Sequence, residues 1–281
     1  MDTATDTREL YLDLLKRSLV GALDEDNDSI LGGVRTQGMR DWRKKLANHA
    51  GRLAGRFDIE IAYKKPYDAS LREAGRDWPS RAVSMVGLKR MQNIQDCIEA
   101  IEVGQVPGDL IETGVWRGGA CIFMRGNLKA WGDTTRKVWV ADSFEGLPEP
   151  NASDFPADAG QVFHEQKGLS VGEQIVRHNF ERYGLYDDQV VFLKGWFKDT
   201  LPTAPIEQLA LMRLDGDLYE STIQALDALY PKLSPGGFCI IDDWILVDQA
   251  QQACHDYRKQ HGITEEIIDI DGTGAYWRKA S

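Results

Sequence analysis

Cysteine is scarce in this sequence: Cys97, Cys121, Cys239 and Cys254 are scattered through 281 residues. They form no CxxC pair and have no histidine nearby at zinc-finger spacing, so neither a zinc ribbon nor a disulfide framework is indicated. Each falls in a segment that reads as buried helix or strand, which predicts free core thiols behaving as small hydrophobes. Long apolar runs are missing too. No stretch reaches the roughly 20 residues that span a bilayer, and Met1 to Glu9 is polar and acidic where a targeting segment would be basic and then hydrophobic. A cytoplasmic protein with no membrane partner is expected. Positive charge is also in short supply. Thirty-three Lys and Arg against 44 Asp and Glu leave a net charge of −11, which argues against a protein that neutralises many phosphates and so against nucleic acid as a partner. What is present, 42% apolar and 27% charged residues with 27 Gly and 10 Pro, is the composition of an ordinary soluble globular chain.

Tyr11, Leu14, Leu15 and Leu19 recur at helical spacing and predict an amphipathic helix that ends in the acidic turn Asp24 to Asp28 and the pair Gly32, Gly33. From Arg35 to Lys65 the charge reverses. Arg35, Arg40, Arg43, Lys44, Lys45, Arg52, Arg56, Lys64 and Lys65 face only Asp41, Asp58 and Glu60; this reads as a solvated helix face, or else as a contact for an acidic subunit or ligand. Leu88, Met91, Ile94, Ile98 and Ile101 keep a helical period up to Gly104. Residues 1–104 are therefore assigned to a helical cap with a possible dimer segment, and 105–281 to a core of different character.

In that core, apolar runs at Asp109 to Thr113, Lys137 to Asp142, Val190 to Gly195, Leu209 to Asp215 and Gly237 to Asp243 alternate with helical stretches. The helices are expected at Gly119 to Trp131, Val171 to Tyr183, Glu220 to Leu233 and Asp248 to His261. Continuous apolar strands alternating with helices predict a mostly parallel sheet covered on both faces. Glu265 to Ile270 and Gly274 to Arg278, joined through Asp271-Gly272, predict an edge hairpin. Ligands of open α/β sheets sit beyond the carboxyl ends of the strands. Those ends carry carboxylates and glycines.

The first strand runs into Ile111-Glu112-Thr113-Gly114-Val115-Trp116-Arg117-Gly118-Gly119, a G-x-x-x-G-G turn rather than the G-x-G-x-x-G of a dinucleotide site. An acid two residues before the first glycine would repel a pyrophosphate but suits a cation such as the ammonium and sulfonium of S-adenosylmethionine. Asp142 closes the next strand 28 residues beyond Gly114, where an acid commonly takes both ribose hydroxyls of a nucleoside cofactor. Lys194-Gly195-Trp196-Phe197 ends the third strand with aromatics that could flank an adenine or simply fill the core.

The fourth and fifth strands run into Asp215-Gly216-Asp217 and Asp242-Asp243. If these strands are neighbours, the carboxylates meet at one rim, where like charges raise one another's pKa unless a cation intervenes. All-oxygen ligation suits Mg²⁺, Mn²⁺ or Ca²⁺. The alternative is that these aspartates cap the helices that follow.

Taken together, Glu112 to Gly119, Ala141-Asp142-Ser143-Phe144-Glu145-Gly146-Leu147-Pro148, Lys194 to Phe197, Leu214 to Thr222, and Ser234-Pro235-Gly236-Gly237 with Asp242-Asp243 resemble the TylF/MycF (macrocin) O-methyltransferases. The likeness extends through Gly75-Arg76-Asp77-Trp78-Pro79 and Gly87-Leu88-Lys89-Arg90. It implies a Rossmann-like class I methyltransferase: an α/β fold with a seven-stranded, mostly parallel sheet, helices on both faces and an N-terminal helical cap. It also implies S-adenosylmethionine as methyl donor, Mg²⁺, and a sugar hydroxyl of a glycosylated natural product as acceptor, in antibiotic biosynthesis. By the resemblance, Glu112, Gly114, Gly118, Asp142, Ser143, Gly195, Trp196 and Phe197 hold the donor. Asp215, Asp242 and Asp243 bind the metal, and Asp217, with Asp215, carries the catalysis. A small-molecule glycoside is then the partner, and a homodimer or larger homo-oligomer is expected. Two departures stand out: residues about Gly33 to Ala62 read as an insertion, and Trp244 follows the Asp pair where Tyr is more usual. Rival readings are a Mg²⁺-dependent catechol or phenol O-methyltransferase, an NAD-dependent oxidoreductase, and a donor-binding protein without turnover.

Overall fold

The computed structural model describes residues 3–25, 28–30, 41–59, 61–64 and 66–280. Leu12, Leu15 and Leu19 repeat at one-turn spacing and bury one edge of α1 (Thr3–Leu19). That edge is displaced from the expected one, because Leu12 takes the inward position and leaves Tyr11 and Leu14 37% and 58% exposed. A short antiparallel pair, β1 (Asp28–Ile30) and β2 (Ala62–Lys64), flanks α2 (Asp41–Gly55) in sequence. Lys45, Arg52 and Arg56 of the basic segment are exposed, as on a solvated face, whereas Arg35, Arg40 and Lys65 lie outside the described residues, as do Gly32 and Gly33. Asp68 caps α3 (Ala69–Glu73), and α4 (Leu88–Val103) buries Met91, Ile94, Ile98 and Ile101 before stopping at Gly104.

Beyond Gly104 strands and helices alternate: β3 (Asp109–Thr113), α5 (Gly119–Trp131), β4 (Val138–Asp142), α6 (Glu173–Arg182), β5 (Val190–Lys194), α7 (Phe197–Thr200), β6 (Leu209–Leu214), α8 (Tyr219–Leu229), β7 (Leu233–Ile241), α9 (Asp248–His261), β8 (Ile268–Asp269) and β9 (Ala275–Arg278). The sheet has seven strands in the order β5-β4-β3-β6-β7-β9-β8, parallel from β5 to β7, with β9 antiparallel to both its neighbours. This is the expected Rossmann-like architecture.

Strand residues alternate between two apolar layers. Leu110, Val138, Val140, Leu211, Phe238 and Ile240 pack into one with α1, α4, α5 and α6; Ile111, Trp139, Ala141, Met212, Leu214, Cys239 and Ile241 pack into the other with α8 and α9. Both faces being covered explains why the strands read as unbroken apolar runs. α1 and α4 thus share one core with the sheet. All four cysteines are buried and free. Among the described residues no helix is long and apolar enough to cross a membrane.

Two boundaries move for steric reasons. α8 was expected to reach Leu233 but gives way to a 3₁₀ turn at Tyr230–Lys232, because Pro231 has no N–H to continue it. β7 starts four residues before the expected Gly237, and its pairing with β6 jumps from Leu209↔Leu233 to Leu211↔Phe238. Pro235 lies in that irregularity, where no ladder bond is asked of it.

Candidate active site

β3 and β6 are neighbours although β4 and β5 intervene in sequence, so strand order reverses between them, and the crevice past their carboxyl ends is the place for a ligand. A cavity of about 1010 Å³ opens there. Glu112, Gly114, Asp142, Ser143, Gly195, Trp196 and Phe197 line it, as do Asp215, Asp217, Asp242 and Asp243. Gly118 does not. A Cβ on it would lie 2.7 Å from Val176 Cγ1, so this glycine serves the packing of α5 on α6, and Gly119 and Ala120 supply the wall instead. Gly114 has a different reason to be glycine: its φ is +82° and a Cβ would lie 1.9 Å from the Asp215 carbonyl oxygen. The close approach here is between the exits of β3 and β6. Trp116, Phe144 and Asp217 also adopt left-handed φ values of 46°, 58° and 58°, each just past a strand end, a strain of order 1–3 kcal/mol apiece.

On the first side of the cavity, Asp142 accepts from Val115 N and Phe144 N, both at 2.7 Å, which fixes its carboxylate between two turns at the cavity wall. Ser143 Oγ donates to Gly146 O at 2.7 Å. Glu112 is buried and committed: one oxygen accepts from Arg213, the other from Cys121 Sγ at 2.8 Å. Burial raises the Glu112 carboxyl, and the Arg213 charge and the Cys121 contact oppose the rise. Trp78 lies edge-on to Trp116 at 5.9 Å and lines the same cavity from the segment before α4.

On the second side the aspartates converge. Asp215, Asp242 and Asp243 each bring a carboxylate oxygen to within 4.8 Å of the others, and Asp217 lines the same cavity beside them. They are not alike electrically. Burial pushes Asp242 up, but the Arg213 and Arg90 guanidinium groups outweigh it and hold the carboxyl below the usual range. Burial and then the Asp242 charge push Asp215 well above that range; burial and then Asp217 and Asp242 do the same to Asp243. Asp217 is pushed up to about 7 by burial and the Asp215 charge.

Arg213 and Arg90 escaped the sequence reading. Register places Arg213 opposite Glu112, and its guanidinium meets Glu112, Asp242 and, at 2.9 Å, Asp215. Arg90, from α4, meets Asp242 and lies 3.1 Å from Asp271 in the β8–β9 turn. An arginine inside an otherwise apolar central strand was the available signal, since a buried cation demands carboxylate partners. Even so, the carboxylates of Glu112, Asp215, Asp217, Asp242, Asp243 and Asp271 gather around two guanidinium groups, those of Arg213 and Arg90. Asp243 Oδ2 is buried with no hydrogen-bond partner. An all-oxygen set short of positive charge, with an orphaned carboxylate oxygen, fits a hard dication.

A family model described as macrocin-O-methyltransferase (TylF) matches residues 8–279. A Streptomyces olivaceus protein, 8-demethyl-8-(2,3-dimethoxy-alpha-L-rhamnosyl)-tetracenomycin-C 4'-O-methyltransferase, is 51% identical over 274 residues, spanning 97% of this chain and 94% of its own. Mycinamicin III 3''-O-methyltransferase of Micromonospora griseorubida is 45% identical over 276 residues, 97% of each chain. Among solved structures, that of the O-methyltransferase NovP is similar at a TM-score of 0.82 and 43% identity, covering 98% of this chain and 100% of the other.

Proposed function

This chain belongs to the macrocin O-methyltransferase (TylF) family and is an O-methyltransferase, and on that premise we propose that it methylates a sugar hydroxyl of a glycosylated natural product, using S-adenosylmethionine and Mg²⁺. The nicotinamide oxidoreductase and the binding protein without turnover give way to this reading. The observation that carries it is the meeting of Asp215, Asp217, Asp242 and Asp243 on the cavity that Glu112 and Asp142 also line. The glycoside acceptor is supported by relatives whose names specify glycosylated compounds.

The donor supplies a methyl group on a sulfonium, and Mg²⁺ supplies the Lewis acidity that makes a weakly acidic hydroxyl easier to deprotonate. Asp215, Asp242 and Asp243 would hold the ion. Glu112, Gly114, Asp142, Ser143, Gly195, Trp196 and Phe197 would hold the donor, with Asp142 at the ribose and Trp196 beside the adenine. Gly118 would contribute by letting α6 close on α5. Asp217, its carboxyl at about 7, is poised to take the acceptor proton near neutrality. Alignment of oxygen and methyl carbon lowers the barrier by removing rotational and translational freedom before reaction, an effect worth up to roughly 7–11 kcal/mol in the best cases. Residues 1–104 would act as a cap over the core, Trp78 excluding water from the cavity, and α1 with its exposed Leu10 and Leu14 would serve a homo-oligomer contact. A cytoplasmic location goes with this chemistry.

The test is transfer of labelled methyl from S-adenosylmethionine to a panel of small glycosides and phenols, with Mg²⁺ and with excess chelator. Label on glycosides, lost with chelator, is expected. Transfer confined to phenols would favour the catechol reading, and transfer indifferent to chelator would remove the metal.

A further inference from the structure

α8 begins without a cap of its own, because Leu218 occupies the N-cap position and has no side-chain acceptor. The acceptor arrives from 61 residues earlier. Asp158, fully buried at the end of a 3₁₀ turn (Pro156–Asp158), accepts from Tyr219 N at 2.7 Å through Oδ1 and from Glu220 N at 3.0 Å through Oδ2. A carboxylate across the first amides of a helix also meets the positive end of its dipole. Phe155 reinforces the junction, its ring centroid 6.2 Å from that of Tyr219.

The pin joins two walls of the cavity. The connection that carries Asp158 also contributes Leu147, Glu149, Phe163 and Leu169 to the lining, and its later part is held by Trp116 Nε1 donating to Gly168 O at 2.8 Å. On the other wall, the amides taken by Asp158 lie two and three residues past Asp217. That residue holds a left-handed backbone, φ 58°, without being glycine, a conformation Asp can adopt but at a cost that a fixed helix start beyond it helps to offset.

We propose that Asp158 is a positioning residue for methyl transfer: it fixes the Asp217 turn and the 147–169 wall in one mutual placement and acts on turnover without touching the substrate. The proposal rests on the role given to Asp217 above. Without the carboxylate, two helix-end amides must find water, and the turn before them is free to relax. A displacement of about 1 Å in a reacting group costs on the order of 100-fold in rate.

The experiment compares Asp158→Ala and Asp158→Asn with Asp133→Ala. Asp133 is another carboxylate that accepts two successive amides, Thr135 N at 2.6 Å and Arg136 N at 2.9 Å, but in the turn before β4, away from the carboxyl ends of the strands. Asp158→Ala is expected to lower kcat by about 10- to 100-fold and to speed hydrogen exchange across residues 215–220. Asp158→Asn, with one carbonyl oxygen left to accept, should fall between. Asp133→Ala should lower the urea midpoint comparably and keep kcat. Wild-type kcat in Asp158→Ala, or an equal loss in Asp133→Ala, overturns the proposal. Absence of methyl transfer by the wild type strikes the function reading instead, and hydrogen exchange then decides: an unchanged 215–218 turn in Asp158→Ala still overturns the pin.

Discussion

Arg213 shows how much one side chain can settle. It is 1% exposed, lies in the centre of the sheet, and pairs with Glu112, Asp215 and Asp242. Removing one partner of a buried ion pair leaves an uncompensated charge, a loss of about 3–5 kcal/mol, and here Glu112 and Asp215 lose their guanidinium partner while Asp242 keeps only Arg90. Arg213→Met, which keeps most of the volume, is expected to destabilise the protein by at least about 3 kcal/mol in urea unfolding; a change below about 1 kcal/mol would mean that the pairing contributes little. Gly114→Ala tests the neighbouring contact. Its Cβ would lie 1.9 Å from the Asp215 carbonyl oxygen, so Asp215 must shift and the proposed ligand set with it. Manganese affinity, read by electron paramagnetic resonance, should fall at least tenfold even where the variant folds. Of these residues the sequence disclosed the glycine and the aspartates, because turns and strand ends carry local signals. It concealed Arg213 and Arg90, whose meaning depends on cross-strand register and on α4 crossing the rim.

At the scale of elements, the same division holds. β3, α5 and α9 occupy the predicted residues, since each is an apolar run or period bounded by its own glycine or turn signal. β7 and α8 depart most from expectation at one end each: Pro235 sits in a bulge that only pairing with β6 creates, and Pro231 ends a helix that periodicity alone would extend. How elements are tied is harder to read than where they lie. Arg125 of α5 reaches Asp187 ahead of β5, with Nε at 2.9 Å and Nη2 at 2.6 Å. These hydrogen bonds hold the Asp187 carboxyl below its usual range, against a smaller push from burial. A carboxyl depressed in the folded state stabilises above its unfolded pKa, near 4, and that stabilisation is lost as pH falls through the folded value. Asp187→Asn should therefore have a lower urea midpoint than wild type at pH 7, with the difference closing as pH falls from the unfolded pKa near 4 through the lower folded one. A difference that persists at low pH would assign the effect to packing instead of charge.

For the whole molecule, the fold gathers negative charge at one point of a chain that already carries −11. Two core layers and seven strands hold Asp215, Asp242 and Asp243 together, and the burial and, after it, the mutual repulsion that push Asp215 and Asp243 upward are a cost borne by the folded state alone. On the proposed reading, the rim is a weak point without its ion. Asp243 is the place to read this, because its Oδ2 is buried without a partner. Asp243→Asn removes one of the crowded charges while nearly keeping shape. In chelator it should unfold at the same urea concentration as wild type or higher, whereas in saturating Mg²⁺ it should be the less stable of the two. An ion at 100 times its Kd stabilises the wild type by about 2.7 kcal/mol through mass action, and the variant forgoes most of that. S-adenosylhomocysteine, whose proposed site is on the Glu112 and Asp142 side, should stabilise both proteins to a similar degree. The crossing of the two stability orders is the signature. If Asp243→Asn is the weaker protein in chelator and in Mg²⁺ alike, by the same margin, the carboxylates belong to the architecture of the rim and not to an ion.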